Sequence, residues 1–111
     1  MFYLFLFLKL CVGHFVCDYP LQGDFLARAK NHLQPIPGVP WQWALLAHAG
    51  IQGGMVAYVT GVWWLGLAEV LLHCRIDYLK CAGRICFDED QVKHLMCKGA
   101  WVLFLLGISW L

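Results

Sequence analysis

Four long apolar runs, divided by short polar or proline-bearing segments, constrain this chain more than any other feature. They cover residues 2–19, 41–59, 62–80 and 88–110. Each comes close to the roughly 20 residues a helix needs to cross a hydrocarbon layer about 30 Å thick. Between Phe2 and Cys17 only Lys9 and His14 are polar. That run has neither the basic start nor the small-residue cleavage site of a signal peptide, so it reads as a membrane helix. Residues 23–40 break the pattern with Arg28, Lys30, Pro35, Pro37 and Pro40. Proline removes a ladder donor and turns the preceding residue away from helix, so this stretch reads as a loop, with a short interfacial helix around Asp24–Asn31. Trp41 and Trp43 open the second run at a depth suited to headgroups. Thr60–Gly61 is the only break before the third. The expected fold is an all-α integral membrane protein, a four-transmembrane-helix bundle forming one domain over residues 1–111.

Composition supports that reading and removes others. Hydrophobic residues make up 61% and charged residues 14%, against about 45–50% and about 25% in soluble domains. A net charge of +1 gives no electrostatic footprint for nucleic acid. Four crossings put residues 23–40 and 81–90 on one side. Arg28, Lys30, Lys80 and Arg84 lie in or beside these two segments, whereas both termini and the 60–61 turn have no Lys or Arg. The positive-inside bias then predicts a bacterial inner membrane protein with cytoplasmic loops and periplasmic termini. The six cysteines form no CxxC pair and read as small hydrophobes. Small residues at Gly50–Gly54 permit close helix contact, within the chain or in a homo-oligomer.

So apolar a chain makes its polar residues informative. His14 and Asp18 are four apart, as are Glu69 and His73, His73 and Asp77, and Asp90 and His94. Four of the seven carboxylates therefore stand four residues from a histidine, where chance placement gives roughly one. Residues at i and i+4 share a helix face, so each pair can close on one cation or place the carboxylate behind the imidazole. With alternating topology, His14, Asp18, His48, Glu69, His73, Asp77, Asp90 and His94 all fall toward one membrane face. Ionisable groups inside a bilayer cost about 2.5–3.5 kcal/mol each even on a lenient scale, so a shared site is expected. Singly, each has a plainer reading. His48 reads as a packing histidine, Asp18, Asp77 and Asp90 as helix-end caps, and Asp77–Lys80 and Asp90–Lys93 as surface ion pairs. None of these explains agreement among four helices.

Imidazoles and carboxylates together suit a divalent metal, zinc first, with manganese or iron as alternatives, and the donors are numerous enough for two ions. Haem has no use for carboxylates at this spacing. A conducting pathway would need polar residues in the other half of the bundle, which reads as apolar.

The stretch Gly13-His14-Phe15-Val16-Cys17-Asp18-Tyr19-Pro20-Leu21-Gln22 with Lys30 beyond it, then His73-Cys74-Arg75-Ile76-Asp77-Tyr78-Leu79-Lys80, then Asp90-Gln91-Val92-Lys93-His94, resembles a known signature. It is that of a bacterial and phage membrane family, domain of unknown function 3307, and the resemblance covers residues 13–96. The family is similar in outline to bacterial inner-membrane proteins labelled metal-dependent hydrolases. By that resemblance His14, Asp18, His48, His73, Asp77, Asp90 and His94 would be metal ligands or their orienters. Gln22, Lys30, Lys80 and Gln91 would contact substrate or phosphate. Glu69 lies outside the family pattern, and its candidacy rests on spacing alone. Pro20 should end or kink the first helix, which leaves the face of Gln22 open. The compact length is what a phage-encoded member would show.

The leading expectation is a metal-dependent hydrolase at the cytoplasmic leaflet, acting on a phospholipid or prenyl-phosphate headgroup, with Asp77 or Glu69 as general base. The rival is a non-enzymatic, phage-type membrane protein that binds a host envelope protein and whose polar cluster is purely structural.

Overall fold

The computed structural model describes residues 1–111 as five helices and no strand: α1 (Phe2–Asp18), α2 (Gly23–Ala29), α3 (Trp41–Thr60), α4 (Trp63–Cys81) and α5 (Phe87–Ile108). The bundle measures 50 × 24 × 23 Å. The expected runs are met to within one or two residues at each end. The short helix expected around Asp24–Asn31 is α2, ending at Ala29 rather than Asn31.

Local chemistry sets the boundaries. Pro20 follows the last turn of α1, a usual place for proline past a helix end, and α2 leaves at 83° to α1. At Gly61 the chain takes φ 71°, and its N–H donates to Ala57 O at 2.9 Å, closing α3 with a left-handed residue that costs glycine little. The start of α5 is a capping box built on a thiol. Glu89 N donates to Cys86 Sγ at 3.5 Å, and Cys86 N donates to Glu89 Oε2 at 2.8 Å.

Close approach of α3 to α4 depends on two glycines. A Cβ on Gly53 would lie 2.4 Å from Gly66 O, and one on Gly66 would lie 2.6 Å from Gly53 O. The contact anticipated for the Gly50–Gly54 stretch is thus made within the chain. Leu6, Leu10, Val56, Leu65 and Val102 form a small apolar core toward the end of the bundle away from residues 23–40.

Elsewhere the usual distribution is reversed. Ten of the 24 buried residues are polar or charged, whereas Phe2, Phe5, Trp43, Tyr58, Leu71 and Leu103 are among many large apolar residues that lie exposed. No single helix is long and apolar enough to cross a membrane by itself; α1 and α2 reach that measure only as a bent pair. One expectation is corrected here. The far half is not wholly apolar, because Glu69 falls in the first half of α4 and meets a buried lysine of α5.

Candidate metal centre

Each long helix contributes an i, i+4 stripe to the interior. From α1 come His14 and Asp18, and from α3 His48 and Gln52. The α4 stripe is Glu69, His73 and Asp77, and the α5 stripe is Asp90, His94 and Lys98. Spacing of four keeps a stripe on one face. Because α3 is antiparallel to α1 and α4, its histidine enters from the loop end and meets the last turns of its neighbours. All these side chains are buried, apart from an Asp18 carboxylate that is 9% exposed.

Asp18 is the most heavily bonded carboxylate. Its Oδ1 accepts from Gln52 Nε2 at 2.9 Å and lies 3.1 Å from His48 Nε2, and its Oδ2 accepts from Gln91 Nε2 at 2.8 Å. His48 Nε2 also faces His73 Nε2 at 3.1 Å, and His73 Nε2 lies 3.9 Å from Asp18 Oδ1. Asp77 closes the group from below: Oδ2 is 3.5 Å from His48 Nε2, and Oδ1 is 3.6 Å from His73 Nε2. His48 Nε2 has a single proton, which can go to Asp18 or to the His73 Nε2 lone pair but not to both. A cation between the two imidazoles would accept both lone pairs. Donors about 2.0–2.1 Å from a tetrahedral ion stand about 3.3 Å apart, close to the 3.1, 3.1 and 3.9 Å edges of the Asp18–His48–His73 triangle. The residues therefore fit a divalent metal.

Charge separates Asp18 from the other three carboxylates. Lys98 pairs with Glu69 inside the bundle, Lys30 pairs with Asp77, and Lys80 Nζ lies 3.7 Å from Asp90 Oδ2. Asp18 has only imidazole and amide partners. Of the four carboxylates, Asp18 alone has no lysine partner, and it is the one that faces His48 and His73.

The other expected residues divide by role. His14 has Nδ1 3.3 Å from Gln52 Oε1 and Nε2 3.4 Å from Gln91 Oε1, and a neutral ring donates to one of these two amides that hold Asp18. His94 Nε2 lies 3.1 Å from Asp77 Oδ1 and 3.4 Å from Asp90 Oδ1. Glu69 is committed to Lys98 and to Trp101 Nε1 at 2.7 Å, with His73 Nδ1 3.4 Å away. Gln22 donates to Asp18 O at 3.0 Å, so it stays near the site past Pro20. Lys30 is not at the loop edge: it is 4% exposed, because the Asp77 carboxylate draws it inward. Neither aspartate makes the local ion pair considered from spacing, since Asp77 meets Lys30 rather than Lys80, and Asp90 meets Lys80 rather than Lys93.

Gln52, Lys98 and Trp101 were missed. Gln52 stands four residues after His48, and Lys98 four after His94. A search of histidine neighbours for any polar residue, not carboxylates alone, would have found both.

A cavity of about 320 Å³ at the loop end is lined by Asp18, Gln22, Asp24, Lys80 and Phe87, with the Lys80 ammonium 4.8 Å from the Phe87 ring centre. It gives the cluster its opening. A larger groove of about 800 Å³ between α1 and α3 is lined by apolar chains and Lys9 and holds no member of the cluster.

Fold and site define an all-α helical bundle with an inward-facing histidine–carboxylate centre. Residues 6–110 match the family described as protein of unknown function (DUF3307), and the chain belongs to that family. Comparison with curated proteins and with solved structures gives no match.

Proposed function

We propose that the protein is a membrane-embedded, metal-dependent hydrolase acting on a phosphate-bearing lipid at the cytoplasmic leaflet. The observation that carries this is the Asp18 carboxylate, which has no lysine partner and faces two imidazole nitrogens beside an open cavity. Asp18 Oδ1, His48 Nε2 and His73 Nε2 are the proposed ligands. One carboxylate and two imidazoles are the donor set of several catalytic zinc sites, which keep a fourth position open. The same donors also serve iron, so zinc is the first choice and iron the second.

A divalent ion bound there supplies Lewis acidity and lowers the pKa of a water toward neutrality. Asp77 lies against both ligand histidines but is already paired with Lys30 and His94, so it would orient those ligands rather than take a proton. Glu69 is occupied by Lys98 and Trp101 and serves to orient His73 through Nδ1, a positioning role rather than that of a base. Lys80 and Gln22 line the opening, where an ammonium neutralises phosphate as a point charge. Gln91 holds Asp18, and Lys30 is sealed within, so neither contacts substrate in this reading.

Membrane placement is supported by the inverted distribution of polar and apolar residues. Thirty large apolar residues, from Met1 to Leu111, are exposed on the bundle, a kind of surface that marks an interaction with a membrane or a partner.

Elemental analysis of protein purified in mild detergent tests the reading. One zinc or iron per chain is expected, lost in His48→Ala and in His73→Ala. Absence of stoichiometric metal from wild type would overturn it. In that case the three satisfied carboxylate–lysine pairs favour the other reading, a non-enzymatic membrane protein with a structural polar network that docks on an envelope protein.

A further inference from the structure

Asp77, Asp90 and His94 form a second donor group, with Asp77 Oδ1 3.1 Å and Asp90 Oδ1 3.4 Å from His94 Nε2. Asp90 is 1% exposed, and its Oδ1 has no hydrogen-bond partner although it points toward His94. Asp77 lies between this group and the Asp18–His48–His73 group, in the position of a carboxylate shared by two ions. Two donor groups that share a carboxylate are the arrangement found in two-metal hydrolytic sites. By donors alone, the site is binuclear.

Charge argues otherwise. Both carboxylates of the second group already have a lysine, Lys30 on Asp77 and Lys80 on Asp90. Lys30 is held in place by its surroundings. Two residues on, His32 stacks on Tyr78 with ring centres 3.9 Å apart and planes 3° from parallel, and Tyr78 is the residue after Asp77. Trp41 leans on the same pair, 5.4 Å from His32 and 5.9 Å from Tyr78. The stack and the ion pair clamp the end of α2 to α4 over two adjacent residues, which keeps the ammonium within the cluster. A divalent ion among Asp77, Asp90 and His94 would meet that ammonium in a medium where like charges are poorly screened.

We propose that Lys30 is a built-in cation standing in for a second metal ion, so that the protein holds one divalent ion and keeps a latent second site at Asp77, Asp90 and His94. This rests on the metal-centre reading above. Removing the Lys30 charge while keeping its length opens the latent site, and a guanidinium keeps it closed.

The test is metal stoichiometry by elemental analysis after equilibration with zinc and removal of free metal, with helicity and elution volume recorded for each variant. Wild type is expected to hold one ion per chain, Lys30→Met two, and Lys30→Arg one. Adding Asp90→Asn to Lys30→Met should return the count to one. Asp90→Asn alone should leave the wild-type count at one; a fall to zero would put the resident ion in the second group and overturn the proposal even if Lys30→Met fails to fold. Two ions in wild type, or one in well-folded Lys30→Met, would overturn it as well. No ion in wild type would be the failure of the metal-centre reading itself.

Discussion

Glu69 shows what one buried charge demands here. Its carboxylate lies 1% exposed in the first half of α4, held by Lys98 and Trp101 of α5. A buried pair adds little net stability, because both charges are desolvated, but loss of one partner leaves the other stranded. Lys98→Met should therefore destabilise the protein by about 3–5 kcal/mol. Glu69→Gln added to Lys98→Met should recover most of that loss. A double-mutant cycle on denaturation curves in detergent measures the coupling. Additive single effects would mean that the pair is not a unit. His73 adds a second readout, since Glu69→Gln removes the negative charge 3.4 Å from its Nδ1 and should weaken metal binding without removing a ligand.

At the scale of the helix, spacing made much of the site legible. Four residues separate His14 from Asp18, Glu69 from His73, His73 from Asp77 and Asp90 from His94, and the structure buries all four pairs together. Helix ends were also readable, because Pro20, the 35–40 prolines and Gly61 are local signals. The partnerships between helices were not. That Lys30 meets Asp77 across 47 residues of chain depends on how α2 folds back, and periodicity within one helix carries no information on that. The convergence also depends on Gly53 and Gly66, whose contact lets α3 approach α4 until His48 and His73 are 3.1 Å apart. Gly53→Val should push the helices apart and weaken metal affinity by about tenfold or more, as loss of supporting contacts around a metal does. Gly50→Ala is the control, since a Cβ there meets nothing within 4 Å. Chelator competition reads both, and equal affinities would show that the glycine contact does not set the site.

For the molecule as a whole, the proposed orientation is open to a single-cysteine experiment. Cys86 is the one exposed cysteine, in the turn between α4 and α5. In a variant retaining only Cys86, a membrane-impermeant maleimide should label inverted inner-membrane vesicles and leave intact spheroplasts unlabelled. Labelling in spheroplasts would invert the topology. Recovery of the protein in the supernatant after an alkaline carbonate wash would remove it from the bilayer altogether.

The buried ion pairs also bear on how such a chain enters a membrane. Synthesis delivers α4, with Glu69, His73 and Asp77, before the Lys98 that neutralises Glu69 has left the ribosome. On the proposed placement, that unpaired charge would favour insertion of α4 together with α5 over insertion one helix at a time. The nascent α4 would then wait at a sheltered, partly hydrated site until α5 arrives, and the last two helices would move into lipid as a pair. On that placement biogenesis would depend on the C-terminal helix, and a ribosome stalled before residue 98 would leave its product at the membrane surface.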